Sequence, residues 1–427
     1  MIILRPLLIT ALFLLSVIST VVAAESCLDC HQDETPGAVR QWQESAHAVD
    51  VGCADCHKGD HEAIVAGEAP VVAAVCGECH RDEYSQHTDS RHGMGLHAGW
   101  GCNRNMPDRN KEECRFCHEE GSTLPRTIVH CARFLKQSSE MGMIGCNRCH
   151  QVENNCASCH SNHLTRPEIA ADPKVCAKCH MGPDHPQWEM WETSMHGTLY
   201  SSAGPEVGPS CQLCHMPDGS HDVSRGLTSP PSMKPYPEAE QAGQRDEMIE
   251  ICSQCHAADF ARRDLAAADA VRRQGLALVA EAEEVVRDIN DRNLLDPPPS
   301  KRPKHPLQGN KLVTDGEMLY EDYSHIERLF FKMKKYSLAK TVKGAYHQNP
   351  AYTHWYGNAE MKMDLVDIKA EASRLKKMAA PVKTATTSDD SSFEAKLKLL
   401  KKKFDRGALN KEEYEQEKRV LMQGYLE

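Results

Sequence analysis

Cys146-Asn-Arg-Cys149-His150-Gln-Val-Glu-Asn-Asn-Cys156-Ala-Ser-Cys159-His160 contains two Cys-x-x-Cys-His units whose first cysteines are ten residues apart. Four thiols and two imidazoles in fifteen residues are a dense ligand set. The same unit recurs along the chain. It is found at Cys27-Cys30-His31, Cys53-Cys56-His57, Cys76-Cys79-His80, Cys114-Cys117-His118, Cys146-Cys149-His150, Cys156-Cys159-His160, Cys176-Cys179-His180, Cys211-Cys214-His215 and Cys252-Cys255-His256. Eighteen of the 20 cysteines are used, leaving Cys102 and Cys131. A shuffled chain of this composition would hold about 0.05 such units.

The spacing has a chemical reason. Two cysteine sulfurs add across the two vinyl groups of one porphyrin, and the histidine directly after the second cysteine reaches the iron. Zinc sites also pair cysteines as Cys-x-x-Cys, but they do not require a histidine after every second cysteine. A disulfide scaffold gives no reason for the histidine at all. The nine units therefore predict eight to nine covalent c-type haems. The units span residues 27 to 256 with no gap long enough for a separate large domain, so the haems form one contiguous array.

Composition agrees. Only 6% of the 427 residues are aromatic, little for a core of this size, and the haems would supply the missing volume. The net charge of −11 argues against a nucleic-acid-binding surface. Residues 1–24 read as a secretory signal, with Arg5, an apolar run from Leu7 to Val22 and small residues at Ala23 and Ala24. An uncleaved membrane anchor is the alternative. A lipoprotein signal does not fit, because Cys27 belongs to the first haem unit. Export implies the periplasm or another oxidising space.

Nine of the 23 histidines are the proximal ones. An electron-transfer haem needs a second strong ligand that closes it to substrate. His47, His61, His92, His163, His196, His221 and His347 are the best placed for this by local context. His87, His97, His130, His325 and His354 are weaker candidates, and His305 sits in a Pro-rich stretch that predicts a solvated side chain.

The expected fold class is mainly α: a loop-rich, haem-packed domain over residues 25–258, then long helices over 259–378. Phe260, Leu265, Val271, Leu278, Ala282, Val285 and Ile289 recur at helical spacing in the first of these. The Pro-rich stretch from Asp296 to Pro306 predicts a stiff connector. Further helices are expected over Gly316–Lys343 and Ala359–Lys377, separated by an aromatic loop at Asn349–Gly357. A polar linker, 379–392, leads to a helical hairpin at 393–427. It breaks at Asp405-Arg-Gly407 and restarts at Asn410, with Glu413 as capping-box partner. The hairpin resembles the short C-terminal (SHOCT) modules of bacterial proteins; a solvated charged tail is the alternative.

One further stretch points to chemistry. Met181-Gly-Pro-Asp184-His185-Pro-Gln-Trp188-Glu-Met-Trp-Glu-Thr-Ser194-Met-His196-Gly197 follows the seventh unit. An Asp-His pair beside an open iron can move protons: His titrates near neutral pH, and Asp orients it or balances its charge. This stretch, the ten-residue doublet, the Asp259-Phe-Ala-Arg-Arg263 run after the last unit and His347-Gln-Asn-Pro350 together resemble the hydroxylamine oxidoreductase family of multihaem cytochromes c. The resemblance covers about residues 25 to 375. It implies that the haem on Cys146, Cys149 and His150 is catalytic and five-coordinate, that Asp184 and His185 are its distal acid/base pair, and that the other haems are bis-histidine. It further implies a homotrimer and N–O or N–N substrates such as hydroxylamine, nitrite or hydrazine. A redox partner is expected, either a small cytochrome c or a membrane quinol-linked complex.

This chain departs from the family pattern in three respects. The family has eight units, and the surplus one, Cys114–His118, is an added electron-entry haem or an unused motif. Cys102 and Cys131 lie in the same insert and either pair as a disulfide or leave a thiol near a haem. Oxidative members carry a tyrosine that cross-links to the catalytic haem from a neighbouring subunit. Here Tyr352 and Tyr356 are near the corresponding place but lack its setting, which favours the reductive direction. Finally, the C-terminal tail has no transmembrane span. The competing readings are a pure electron-transfer protein with every haem closed and, further off, a sulfur-oxyanion reductase of another octahaem type.

Overall fold

A computed structural model describes residues 27–90, 92–93, 152–183, 186–224, 238–302, 310–312, 314, 323–379 and 393–426. These residues are mainly helical, and none of them forms a strand. The signal segment, the Cys114–His118 and Cys146–His150 units, Asp184, His185, Cys102, Cys131, His97, His130, His305 and nearly all of the 379–392 linker lie outside them. The chain divides into two compact units, residues 1–372 and 373–427.

The first part of the larger unit has almost no core of its own. Among the described residues between 27 and 224, the buried hydrophobic side chains are Val39, Ala73, Val175, Met190 and Trp191. Helices here are short, four to nine residues, and several start on the haem units themselves, as at Cys53–Cys56 and Cys211–His215. Segments this short are not stable helices alone. The interior they enclose holds them.

The conventional core lies in the long helices: α1 (Glu238–Cys252), α2 (Ala258–Asp291), α3 (His325–Lys332), α4 (Leu338–Tyr346) and α5 (Ala359–Ala379). In α2 the buried positions are Ala261, Leu265, Ala268, Arg272, Gly275, Val279, Ala282, Val286 and Ile289. This is a strict alternation of four- and three-residue steps, the seam of a knobs-into-holes helix pair. It corrects the expected stripe. Leu265, Ala282 and Ile289 are common to both, but burial falls one residue after Phe260, Val271, Leu278 and Val285. Small side chains at 261, 268, 275 and 282 set the seam, because close approach of a neighbour selects for size. A Cβ on Gly275 would lie 2.8 Å from Leu338 of α4.

Two more expectations are corrected. Tyr323 and Ser324 are not helical. The helix begins at His325, where Ser324 and Glu327 form a capping box, and it continues through a π-helical stretch, Met333–Ser337, into α4. The expected aromatic loop is helical as well. Asn349 caps it by accepting from Tyr352 N–H at 2.9 Å, Pro350 opens it, and a π-helical stretch over Thr353–Asn358 runs into α5. Gly357 explains the unusual winding, since a Cβ there would lie 2.6 Å from the Thr341 Cα and N. Backbone meets backbone, and nothing can move aside. Gly357→Ala is expected to cost about 3 kcal/mol in denaturant unfolding, whereas Gly243→Ala, on an exposed face of α1 with open space around it, should stabilise by about 0.5–1 kcal/mol.

The Pro-rich connector is anchored through Arg302. Its guanidinium donates to both carboxylate oxygens of Glu327 at 2.7 and 2.6 Å, with the two side chains only 2% and 5% exposed. The smaller unit is the hairpin α6 (Phe393–Asp405) and α7 (Lys411–Leu426). Asn410 and Glu413 exchange backbone-to-side-chain hydrogen bonds at 2.9 Å, Leu400 is buried, and the Phe404 and Tyr414 rings pack 4.7 Å apart. No helix among the described residues is long and apolar enough to cross a membrane.

Candidate functional site

Seven of the nine haem units are described, and each proximal imidazole faces a second one. Ring centres lie 6.0 Å apart for His31 and His61, 6.3 Å for His57 and His163, and 6.1 Å for His80 and His47. The remaining pairs are His160 with His221 at 6.0 Å, His180 with His92 at 6.1 Å, His215 with His347 at 6.4 Å and His256 with His196 at 6.0 Å. Two metal–imidazole bonds of about 2 Å, each extended by about 1.1 Å to the ring centre, put axial imidazoles roughly 6.3 Å apart. The residues fit an iron porphyrin seven times over.

The cavity fits too. One continuous space of about 3260 Å³ is lined by all fourteen of these imidazoles and by thirteen of the fourteen described haem-unit cysteines. A pocket for one small ligand measures about 300–1,000 Å³, so this space is sized for several large cofactors.

Local structure aims the rings. The His347 Nδ1–H donates to the Lys343 carbonyl at 2.7 Å, which turns Nε2 to the cavity. Thr165 lies 3.0 Å from the His47 Nδ1, and Thr35 lies 2.9 Å from that of His31. Sequence reading missed both threonines: no local pattern marks Thr165, 118 positions from its imidazole, whereas Thr35 lies only four positions after His31 and its spacing could have been read. Asn349, two residues after His347, donates to Met190 O at 2.9 Å and Thr193 Oγ1 at 2.8 Å, tying this corner to the Gln187–Glu192 helix. Ser194 caps the helix that carries His196, accepting from Gly197 N–H at 3.2 Å. At the last unit the Phe260 ring stacks on His256 at 5.1 Å.

Burial disfavours the charged form of six of these imidazoles, and the neutral form is the one that ligates. It draws His215 down to about 4, with His347 adding to the effect, and His92 down to about 4, with His87 adding. His160, His163, His196 and His347 are also lowered, chiefly by burial.

Of the weaker histidine candidates, His87 lies 6.4 Å from His92 rather than opposite a proximal imidazole. His325 and His354 are exposed. The Tyr352 and Tyr356 rings pack at a tilt, centres 4.9 Å apart; burial, with Glu189 and Tyr356 nearby, pushes the Tyr352 phenol up to about 12.

The seven described units meet in chain order through their cysteines. Cys27 interacts with Cys53, Cys56 with Cys76, Cys76 with Cys156, Cys159 with Cys176, Cys176 with Cys211, and Cys214 with Cys252. The arrangement suits relay of electrons from unit to unit.

Comparison with known proteins agrees with this geometry. The family described as "Seven times multi-haem cytochrome CxxCH" matches residues 49–303, and that described as "Cytochrome c554 and c-prime" matches residues 15–58. A Kuenenia stuttgartiensis protein described as a "Probable nitrite reductase-hydroxylamine oxidoreductase fusion protein" is 25% identical over 83% of this chain. The chain spans about half that relative's length, 52%. Among solved structures, a chain of a K. stuttgartiensis reducing HAO-like protein complex superposes with TM-score 0.66. It is 24% identical, and the match covers 84% of this chain and 86% of that one. A "Hypothetical multiheme protein" gives TM-score 0.62 at 16% identity, covering 84% of this chain and 96% of that one. The chain therefore belongs to the seven-CxxCH multihaem cytochrome family, carries covalently bound haem c, and has the fold of the hydroxylamine oxidoreductase-like cytochromes.

Proposed function

We propose that this protein is an exported, periplasmic oxidoreductase of the hydroxylamine oxidoreductase type. It carries out multi-electron redox chemistry on small nitrogen compounds at the haem of Cys146, Cys149 and His150. The observation that carries the reading is the completeness of the imidazole pairing. All seven described units have a second histidine at axial distance. An all-paired haem has no open position for substrate, so chemistry falls to the two remaining units, and only Cys146–His150 matches the family's catalytic place.

Cys146, Cys149 and His150 would hold the haem that supplies an open iron and the electrons for the nitrogen substrate. Asp184 and His185 exchange the protons, His185 as the acid/base and Asp184 as its orienting carboxylate. His61, His163, His47, His221, His92, His347 and His196 would hold the other seven haems from the side opposite the proximal histidines. The nitrogen-oxide names of the relatives support this substrate class, and the word "reducing" in one of them agrees with the direction suggested by the unfamiliar setting of Tyr352 and Tyr356. A homotrimer, with a redox protein as partner, completes the proposal. The alternative is a pure electron-transfer protein with every haem closed.

The holo-protein, matured with all its haems, separates these readings. Turnover of nitrite or hydroxylamine with a reduced viologen, together with a high-spin ferric signal at rest, is the expected result. Turnover confined to hydroxylamine or hydrazine oxidation would reverse the direction. No turnover and no high-spin haem would leave the electron-transfer reading. Asp184→Asn with His185→Ala is expected to lower turnover by about 10³-fold at unchanged haem content, and full activity in that double variant would sink the acid/base roles.

A further inference from the structure

Charge is distributed very unevenly along the haem array. Residues 27–90 contain thirteen Asp and Glu against three Lys and Arg, a net charge of −10 out of −11 for the whole chain. All thirteen acidic residues are exposed. The other end of the array is balanced: residues 245–275 around the Cys252 unit carry five Arg against six Asp and Glu.

A second observation ties the acidic surface to the haems. Within Cys-x-x-Cys-His, the residue before the second cysteine would lie between the two thioether attachments of a bound haem. In the first three units that residue is Asp29, Asp55 and Glu78; in the other six it is Phe, Arg, Ser, Lys, Leu and Gln. All three carboxylates are exposed. Asp55 is held by the Gly52 N–H at 2.7 Å, and Glu78 pairs with Lys58. The three units are consecutive links, Cys27 against Cys53 and Cys56 against Cys76.

We propose that the exposed acidic surface of these three units is the electron port of the protein, and that it docks a small cationic electron-carrier protein drawn in by carboxylates that include Asp29, Asp55 and Glu78. This deepens the partner part of the proposed function and rests on it only for the existence of a redox partner. Each encounter passes one electron between the carrier's iron and one of these three haems. One iron is oxidised as the other is reduced, and no bond or proton changes place. The acidic surface steers the carrier in, which is why its contribution is to association rate and is screened by salt.

The test uses full-length holo-protein and needs no nitrogen substrate, so an inactive Cys146 haem leaves it unaffected. Electron exchange is followed by stopped flow with a basic mitochondrial-type cytochrome c and with the same cytochrome succinylated to reverse its charge. The expected result is fast exchange with the basic form that slows with salt, slow exchange with the succinylated form, and roughly tenfold slower exchange with the basic form in an Asp29→Asn/Asp55→Asn/Glu78→Gln variant at low salt. An unchanged rate and salt slope in that variant would overturn the proposal. So would an equal change for both cytochromes accompanied by shifted haem potentials, because the carboxylates would then tune the haems rather than seat a partner. Slowing instead by Asp259→Asn/Asp264→Asn would move the port to the opposite end of the array and overturn it equally.

Discussion

Replacing His347 with alanine is expected to open the haem on Cys211 and Cys214 and convert it from low-spin to high-spin, while the other paired haems stay low-spin. The two rings lie 6.4 Å apart, both are held neutral by burial, and the Lys343 carbonyl fixes the His347 tautomer. The other described imidazole near His347, that of His196, is paired with His256. The loss should reduce stability by about 4 kcal/mol, the range reached when a metal contact is removed. Free imidazole should restore the low-spin spectrum, since it refills the position without restoring the chain. His325→Ala removes an exposed imidazole and should change neither spectrum nor stability. Resonance spectroscopy of the ferric protein, with and without imidazole, checks all three. An unchanged spectrum in His347→Ala would break the assignment of His347 as axial ligand.

The second large effect is expected at Arg302. Arg302→Met leaves the Glu327 carboxylate buried and without its bidentate partner, and should cost about 3–5 kcal/mol. Glu327 would keep only its capping contacts, the Ser324 N–H at 3.0 Å and the Ser324 hydroxyl at 2.6 Å. The double variant Arg302→Met/Glu327→Leu should recover part of this loss, because it removes the stranded charge, although it forfeits the cap of α3. Denaturant unfolding of the holo-protein reads both. Equal stability of wild type and Arg302→Met would mean that the connector is not held by this pair. The prediction matters for the site because α3 leads through the π-helical stretch and α4 directly to His347.

Local chemistry was legible in the sequence. A haem attachment needs two cysteines, two intervening residues and a histidine, all within five positions, so the nine units could be read without any fold. Helix starts governed by neighbouring residues were equally plain: the Asn410–Glu413 capping box forms as the spacing predicts. The mainly α class followed from the same local patterns. The carboxylates inside the first three units are also a sequence feature, but their common exposure became visible only in the structure.

What the tertiary structure alone decided is which distant segments meet. Local context nominated imidazoles, but it gave no way to pair His47 with His80 rather than with the nearer His57, or His215 with a histidine 132 positions away. The register of α2 was decided by the closeness of α4 at Gly275, and the helical winding at 353–358 by the contact of Gly357 with the Thr341 backbone. At Gly357 the neighbouring backbone leaves no room for a Cβ, and at Gly275 the Leu338 side chain would have to move aside for one. Covalent attachment depends on residues adjacent in sequence. Axial pairing and helix register depend on which surfaces can be buried together, and no local pattern carries that information.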